Sequence, residues 1–335
     1  MTAPGRPAPR NPITRALMGW QPARVLMTAN RLEVFNALGE EARTAAEIAR
    51  RCACHPRSMA LLLNACVALG FLHKEGGRYR NTPEGLEVLI RGKPAYIGDG
   101  INHADGLWFR WGNLTESVRT NRAASAPSAP VDPATGYRDF ILAMHNRAMR
   151  NAGILADSFD LRGRRRLFDA GGGPGTYSIF LLRANPDLHA IVFDLPPAVE
   201  IAREIVAASG VADRVEFRAG NYFRDDFGTG NDVVLLSAIV HSMSPRRAKV
   251  LLRKAHDSLI PGGIVAVHES LIDDSKIAPV GPVLFSLNML VNTGEGRSYS
   301  GNEIMAWMRE TGFDSPRVRH LPPAAGTSLV IGTRP

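Results

Sequence analysis

The sequence predicts an α/β protein whose C-terminal half is a doubly wound, mainly parallel sheet and whose N-terminal part is a smaller, mostly helical domain. From residue 165 onward, short apolar runs typical of buried strands alternate with segments of helical periodicity. The first of those runs leads into a glycine-rich loop. Before residue 100, helical segments precede a hairpin pattern instead. These three observations carry the prediction.

The alternation resolves into strands and helices with definite bounds. We expect strands at 165–170, 189–194, 214–219, 232–239, 263–269, about 316–321 and 328–333. We expect helices at 176–184, 196–209, 245–259 and 300–312. The last two strands are short and close together, so we expect them to pair antiparallel at the edge of the sheet.

The stretch around which the C-terminal half is organised is Leu167-Phe-Asp-Ala-Gly-Gly-Gly-Pro-Gly-Thr176. It is typical of a strand, a tight glycine loop and a helix start, whose free N–H groups and missing Cβ atoms let a ligand approach closely. Further on, the apolar run Ala190-Ile-Val-Phe193 ends in Asp194. A carboxylate at the tip of the second strand can bind both hydroxyls of a ribose. The two features predict a nucleoside-containing cofactor.

The spacing of the glycines narrows the choice of cofactor. Dinucleotide sites favour G-x-G-x-x-G, whereas Gly171, Gly173 and Gly175 follow G-x-G-x-G and Thr176 stands where the third glycine would be. No Walker lysine follows, which argues against a phosphate loop for ATP. A loop of this kind suits a ligand whose charged part is an amino acid.

Residues 13–100 have the pattern of a winged helix-turn-helix domain, preceded by a Pro-rich tail over 1–12 that we expect to be disordered. The predicted elements are helices over 23–38, 44–51 and 58–69 and a hairpin over 71–82. Thr44 with Glu47 forms a capping-box pattern, and Gly39 ends the first helix.

A winged helix raises the alternative of DNA binding. The segment Ser58–Leu69, in the position of a recognition helix, carries almost no basic or amide side chains with which to read bases. The net charge of +8 bears on solubility and steering rather than on fold. We therefore interpret the domain as a packing and dimerisation module and do not expect nucleic acid as a partner.

The composition is that of an ordinary globular protein, with 335 residues, 45% of them hydrophobic and 21% charged. Cys52, Cys54 and Cys66 are too few for a disulfide framework and lack the spacing of a zinc site, so we expect no metal. No apolar stretch is long enough for a signal peptide or a membrane span. These observations predict a cytoplasmic protein with no membrane partner.

The segment 101–160 is expected to be a helical connector, interrupted by an Ala/Ser/Pro-rich loop over 121–133. Because this connector leads into the glycine loop, part of it could line a substrate pocket. Phe285, Met289 and Leu290 suggest that a second, apolar wall comes from about 280–300.

Ligands of doubly wound sheets bind beyond the C-terminal ends of the strands. The polar residues expected there are Asp169, Asp194, Asn221, Ser237, His241 and Glu269. An imidazole can take a proton from a phenol at neutral pH, and a carboxylate bonded to its other nitrogen would set its tautomer. His241 could instead simply cap its strand, and Glu269 would face away from His268 if that strand continues.

Five motifs, in their order and spacing, resemble those of one enzyme family. They are Phe168-Asp-Ala-Gly-Gly-Gly-Pro-Gly175, Phe193-Asp-Leu-Pro196, Gly220-Asn-Tyr-Phe223, Ser237-Ala-Ile-Val-His241 and Leu259-Ile-Pro-Gly-Gly263. From about residue 13 to the end, the chain resembles the class I S-adenosylmethionine-dependent small-molecule O-methyltransferases, which include plant caffeate and flavonoid enzymes and bacterial polyketide and pigment-tailoring enzymes. The resemblance implies a Rossmann-like methyltransferase domain over 161–335, a winged-helix homodimerisation domain over 13–100, and S-adenosylmethionine as the cofactor.

The resemblance also implies a role for each matching residue. Gly171 and Gly173 would lie against the methionine part of the cofactor, and Asp194 would bind the ribose hydroxyls. Asn221 and Tyr222 would flank the adenine, and Ser237 would also contact the cofactor. His241 would be the general base, and Glu269 would orient that histidine. The implied reaction is methyl transfer to a hydroxyl of a small, aromatic or polyketide-like metabolite.

Two positions depart from the family pattern. The family commonly follows its histidine with Asp-Trp, where this chain has Ser242-Met243. A second acidic residue is common near 294–298, where Glu295 fits only if the register shifts. Two alternatives therefore stay open: methylation of carbon or nitrogen by the same fold, and a DNA-binding regulator that uses the winged helix.

Overall fold

A computed structural model describes residues 11–124 and 133–335, which fall into two compact units divided between Trp108 and Phe109. Most of the predicted tail, and residues 125–132 of the predicted loop, lie outside the described residues. The boundaries predicted at residues 100 and 160 remain predictions.

The first unit is mostly helical and has one small sheet. Its described helices are α1 (Pro12–Met18), α2 (Trp20–Arg31), α3 (Val34–Leu38), α4 (Ala45–Arg51), α5 (Pro56–Ala68), α6 (Pro83–Val88) and α7 (Gly98–Trp111), within which the division falls. Its described strands are β1 (Arg43–Thr44), β2 (Leu72–Glu75) and β3 (Arg78–Asn81), which pair antiparallel in the order β1-β3-β2. Helices that lead into the β2–β3 hairpin make up the predicted winged-helix arrangement.

The single helix predicted over 23–38 is wrong, because the chain forms α2 and α3 with a break between them. Glu33 has φ of 58°, a left-handed conformation that a right-handed helix cannot contain. After the break, Val34, Phe35 and Leu38 lie in the core of the unit, where each is at most 1% exposed.

The capping box predicted at the start of the next helix is confirmed. Thr44 Oγ1 accepts a hydrogen bond from the Glu47 amide at 3.3 Å, and Glu47 Oε2 accepts one from the Thr44 amide at 2.6 Å. The box satisfies two backbone donors that the first turn of α4 would otherwise leave free.

The second unit is built on a large sheet flanked by helices. Its described helices are α8 (Leu114–Thr120), α9 (Pro133–Met149), α10 (Ala152–Ser158), α11 (Thr176–Ala184), α12 (Pro196–Ala207), α13 (Pro245–Ser258), α14 (Val280–Thr293) and α15 (Gly301–Glu310). Its described strands are β4 (Arg166–Ala170), β5 (His189–Asp194), β6 (Val215–Ala219), β7 (Asn231–Ser237), β8 (Leu259–Glu269), β9 (Asp314–His320) and β10 (Ser328–Thr333). They lie in the order β6-β5-β4-β7-β8-β10-β9.

The pairing of these strands confirms the α/β fold class. Strands β4 to β8 pair parallel, while β10 pairs antiparallel with both β8 and β9. The antiparallel pair predicted at one edge is therefore present, with the last strand inserted between β8 and β9. Such a mixed sheet is common where an otherwise parallel sheet carries antiparallel edge strands.

Side-chain alternation along the central strands fills a core on each face of the sheet. Phe168 and Val234 belong to one buried cluster, whereas Leu167 and Val233 belong to the other. Strands covered on both faces need near-continuous apolar runs, which explains the pattern seen in the sequence. The C-terminal ends of the parallel strands all lie on the same side of the sheet. The polar residues that end β4, β5, β7 and β8 therefore lie close to the point beside β4 where the strand order reverses.

No helix within residues 11–124 and 133–335 is both long and apolar enough to cross a membrane.

Candidate active site

The glycine loop between β4 and α11 is held against the neighbouring strand end. The amides of Gly171 and Gly172 both donate to the carbonyl of Phe193, at 2.8 and 3.2 Å. Gly171 has φ of 70°, and a Cβ there would lie 2.8 Å from Ile239 Cγ2. Gly173 also has positive φ, but a Cβ on it would meet nothing within 4 Å. The loop therefore packs on the protein at Gly171 and borders open space at Gly173.

Gly175 provides the close helix–strand packing that dinucleotide-binding loops obtain from their third glycine. It is the N-cap of α11, and a Cβ there would lie 3.5 Å from Val192 Cγ2 on β5 and 3.2 Å from Val206 Cγ2 on α12. Thr176, which follows, is 1% exposed, and its Oγ1 lies 2.8 Å from Nδ1 of His145 on α9. Thr176 thus connects the start of α11 to α9.

Asp194 is held rigidly at the end of β5. Its Oδ2 accepts a hydrogen bond from the Gly173 amide at 2.8 Å, and its Oδ1 accepts one from the Leu195 amide at 2.7 Å. Burial raises the pKa of Asp194, and these two amide bonds oppose the rise. Each carboxylate oxygen keeps a further lone pair, so the pair of oxygens can still accept two hydroxyl donors.

Asp169 lies beneath the loop, at the end of β4. Its Oδ2 accepts a hydrogen bond from Ser178 Oγ at 2.6 Å, while its Oδ1 is buried and has no partner within the described residues. Burial, with a smaller contribution from the charge of Asp194, raises the pKa of Asp169 to about 7. An acceptor left unsatisfied beside the glycine loop is unusual and favours a site that a ligand completes.

These features fit S-adenosylmethionine. The open side of Gly173 leaves room for the methionine part, and the two free lone pairs of Asp194 suit the ribose diol. The loop has no lysine for a phosphate, and its glycines follow G-x-G-x-G rather than the G-x-G-x-x-G spacing of pyrophosphate sites. The chemistry of the donors and acceptors present therefore agrees with a nucleoside that carries an amino acid.

Asn221 and Tyr222 follow β6, the strand beside Asp194. Asn221 Oδ1 accepts a hydrogen bond from the Phe223 amide at 2.9 Å, which shapes a tight turn. The Tyr222 ring meets the Phe223 ring edge-on, with ring centres 4.7 Å apart. Burial raises the pKa of Tyr222, so the phenol is neutral at physiological pH. Their predicted contact with the adenine remains a prediction.

Ser237 ends β7, and its hydroxyl contacts His268, to which the sequence pattern assigned no role. Ser237 Oγ lies 2.9 Å from Nδ1 of His268, whose Nε2 lies 2.8 Å from Thr327 Oγ1. Burial lowers the pKa of His268 to about 4, so this imidazole is neutral. The predicted contact between Ser237 and the cofactor remains a prediction, and its hydroxyl already has a partner in the protein.

His241 and Glu269 meet although 28 positions of sequence separate them. His241 lies in a short 3₁₀ turn after β7, and its Nδ1 is 2.7 Å from Glu269 Oε2. The His241 amide donates to Glu269 Oε1 at 3.2 Å, so both carboxylate oxygens hold this one residue. An Nδ1–H that donates to the carboxylate leaves Nε2 as a lone-pair acceptor. No hydrogen bond to Nε2 occurs within the described part of the chain.

The other wall of the site is partly aromatic. The ring of Phe285 on α14 meets the His241 imidazole edge-on, with ring centres 4.7 Å apart. Met289 is buried on the same helix, and Leu290 is half-buried. These are the apolar residues that the sequence suggested for a pocket.

Glu295, the candidate for the second acidic residue of the family pattern, does not pair with His241. Glu295 is 54% exposed at its side chain and lies 3.8 Å from Arg247 Nη1. Gly296 is the residue next to the histidine, where an added Cβ would overlap the His241 carbonyl oxygen. The structure therefore pairs His241 with Glu269 and gives Glu295 a surface partner.

Helix α9 brings three residues to the site that the sequence pattern did not indicate. His145 contacts Thr176, and burial lowers the pKa of that histidine. Burial, with a contribution from the charge of Asp194, raises the pKa of Tyr137 to about 12. Arg147 lies over the Phe285 ring, with Cζ 5.9 Å from the ring centre. In the sequence these residues stand in an ordinary helical pattern, which carries no signal of the partners they reach.

The sheet order and the features along its strand ends define a class I S-adenosylmethionine-dependent methyltransferase. Residues 121–314 match the O-methyltransferase domain family, and residues 17–86 match the O-methyltransferase dimerisation domain. This chain therefore belongs to the O-methyltransferase family, as its motifs predicted.

Three relatives illustrate the similarity. The chain is 36% identical to 3-hydroxy-5-methyl-1-naphthoate 3-O-methyltransferase of Streptomyces sahachiroi, over 96% of this chain and 94% of the relative. It is 33% identical to the tetracenomycin polyketide synthesis 8-O-methyl transferase TcmO of Streptomyces glaucescens, over 96% of each chain. The solved structure of PigF with SAH is similar with a TM-score of 0.89 and 25% identity, over 97% of this chain and 100% of that one. The chain is thus a S-adenosylmethionine-dependent O-methyltransferase along nearly its whole length.

Proposed function

We propose that this enzyme methylates a phenolic hydroxyl of a small aromatic or polyketide-like metabolite, with His241 as the general base. The observation that carries the proposal is the His241–Glu269 pair, which leaves Nε2 free beside the aromatic ring of Phe285. One relative is named for a hydroxynaphthoate acceptor and another for tetracenomycin polyketide synthesis, and both names fit an aromatic or polyketide-like acceptor.

Each residue of the site has a distinct task in this proposal. When bound, S-adenosylmethionine supplies a methyl group on a sulfonium, which passes to an oxygen nucleophile as the C–S bond breaks and leaves S-adenosylhomocysteine. His241 Nε2 accepts the phenolic proton, and Glu269 holds the imidazole in the required tautomer and stabilises the imidazolium. Asp194 and the glycine loop hold the donor, while Phe285 and Met289 exclude water from the apolar side.

The experiment that tests the proposal is methylation with donor carrying a ¹³C-labelled methyl group. The purified enzyme is incubated with naphthols, hydroxynaphthoic acids and polycyclic phenols, and products are examined by mass spectrometry and NMR. We expect one added methyl group whose carbon shift is that of an aryl methyl ether. A methyl group on carbon or nitrogen, or no product from any phenol while S-adenosylhomocysteine still binds, would contradict the proposal.

We also propose that the enzyme is a homodimer that associates through its first unit. Support comes from the dimerisation-domain match and from three large apolar side chains near the start of that unit, Ile13, Leu17 and Trp20, which are 76%, 68% and 54% exposed. Exposed apolar clusters of this kind mark interaction surfaces.

Light scattering of the purified enzyme is expected to give about twice the chain mass of 36.3 kDa. The double variant Ile13→Arg, Leu17→Arg is expected to move toward the monomer mass, because it places two charges in an apolar interface. Ile277→Arg, at a 76% exposed position of the second unit, is the control and is expected to stay dimeric. A monomer mass for the unaltered enzyme would refute the dimer.

A further inference from the structure

Arg147 is an exposed arginine next to the residues of the proposed acceptor site. It lies on α9, and its Cζ is 5.9 Å from the centre of the Phe285 ring, which His241 meets edge-on. Its Nη2 donates to Ser270 Oγ at 3.4 Å, and Ser270 directly follows Glu269 in the chain. The guanidinium and the imidazole therefore border the same aromatic ring.

The charge of Arg147 is not neutralised by a neighbouring carboxylate. Arg138, on the same helix, forms an ion pair with Glu204 at 2.6 Å. For Arg147, no ion pair is present within residues 11–124 and 133–335. An unneutralised cation at the rim of a binding site attracts an anionic ligand group.

The electrostatic effect of Arg147 extends to the strand ends. Burial raises the pKa of Tyr177, and the charge of Arg147 opposes that rise. Burial lowers the pKa of His268 to about 4. The charge of Glu269 opposes this lowering, and the charge of Arg147 adds to it. The guanidinium is thus close enough to influence groups beside the base, from the side of α9.

The arrangement defines the chemistry of a ligand that would match it. A base with a free nitrogen suits a hydroxyl, the Phe285 ring and the apolar α14 residues suit a flat aromatic body, and the guanidinium suits an anion. Arginine presents its N–H donors in a planar fork that matches the two oxygens of a carboxylate. A ligand with these three parts is a hydroxylated aromatic carboxylic acid.

We propose that Arg147 binds the carboxylate of the methyl acceptor, which is therefore a hydroxylated aromatic carboxylic acid. This inference rests on the function proposed above and narrows its substrate class. Arg147 acts on specificity: it orients the acceptor so that the hydroxyl points toward His241, and it takes no part in proton transfer.

The test compares a hydroxynaphthoic acid with its primary carboxamide, which keeps the rings and the hydroxyl but lacks the charge. We expect the unaltered enzyme to show a kcat/KM about 10- to 100-fold higher for the acid, the range that a charge-assisted contact supplies. Arg147→Gln is expected to reduce the value for the acid to that for the carboxamide. Its value for the carboxamide is expected to fall much less than its value for the acid, because the carboxamide offers no charge for Arg147 to bind.

Two further variants separate a carboxylate contact from general effects of charge. Arg150→Gln removes the same charge three residues away, where the exposed side chain has no contact with Phe285 in the described structure, and is expected to keep the preference for the acid. Arg147→Lys keeps the charge without the planar fork and is expected to keep only part of the preference. The preference of the unaltered enzyme is expected to shrink as ionic strength rises.

Several results would overturn the inference. Equal losses of kcat/KM for the acid and the carboxamide in Arg147→Gln would show that Arg147 has only a structural role. A lower unfolding temperature of the variant would confirm that role. Turnover of uncharged phenols without preference for the acid would refute the carboxylate contact and leave O-methyl transfer intact. Failure to methylate any phenol would refute both the inference and the proposed function.

Discussion

Replacing His241 with alanine is expected to lower kcat by about 10²- to 10⁴-fold, the range that general acid–base catalysis contributes. Glu269 Oε2 contacts the imidazole at Nδ1 and Oε1 accepts from the His241 amide, so the ring orientation that proton transfer to Nε2 would need is already fixed. A phenol that keeps its proton is a poor nucleophile, and water cannot replace a positioned base at the same effective concentration. The loss is expected in kcat rather than in binding of the donor.

Single-turnover kinetics with a methylated phenol as the product measures this effect, and calorimetry with S-adenosylhomocysteine measures donor binding. His320→Ala is the matched control, since that exposed histidine lies on the edge strand β9 and contacts Ser328. It is expected to keep its turnover. Glu269→Gln is expected to lose less turnover than His241→Ala, because the glutamine side chain can still hydrogen-bond to Nδ1. Some turnover is expected to be lost, because its amide group can also donate to Nδ1 and so favour the wrong tautomer. Turnover of His241→Ala within about threefold of the unaltered enzyme would remove the general base from the proposal.

Asp194→Ala is expected to weaken binding of S-adenosylmethionine by about 100-fold or more. Two charge-assisted hydrogen bonds to a ribose diol contribute a few kcal/mol together, and tenfold in affinity corresponds to about 1.4 kcal/mol. The carboxylate also accepts from the amides of Gly173 and Leu195, so its removal loosens the glycine loop as well. Asp194→Asn is expected to lose affinity too, because an amide has only one acceptor oxygen for those two amides.

Calorimetric titration with S-adenosylhomocysteine measures the affinity, with Asp226→Ala as the control. Asp226 is a carboxylate that is 84% exposed and paired with Arg218. The expected pH dependence has a definite sign, because burial raises the pKa of Asp194 and the proposed contact with both ribose hydroxyls needs the ionised form. Affinity is therefore expected to be full at higher pH and to fall as pH decreases through that raised pKa. Affinity of Asp194→Ala within about threefold of the unaltered enzyme would rule out the ribose contact.

Much of the second unit could be predicted from the sequence because its signals are local. Buried strands need apolar runs, helices need a period near 3.6, and a loop that takes positive φ needs glycine. These rules located β4, the glycine loop and α11 to within a residue. They also put Asp194, His241 and Glu269 near strand ends, where a parallel sheet binds its ligands.

The break between α2 and α3 was not predictable by the same rules. Apolar residues continue at helical spacing through that region, and Glu33 is not a residue that typically marks a left-handed turn. Packing of Val34, Phe35 and Leu38 in the core of the first unit outweighs the local preference for a continuous helix. Similarly, the sequence did not show that β10 would insert between β8 and β9, since that depends on pairing across the sheet.

The sequence by itself determined the class of enzyme, the donor it uses and which strand ends carry its polar residues. The tertiary structure decided which of these side chains meet: Glu269 with His241, His145 with Thr176, and Arg147 with the ring of Phe285. The physical reason is that periodicity and turn chemistry act over a few residues, whereas these contacts join parts of the chain from 28 to more than 100 positions apart. Only the order of the strands and the packing of α9 and α14 bring them within a few ångströms.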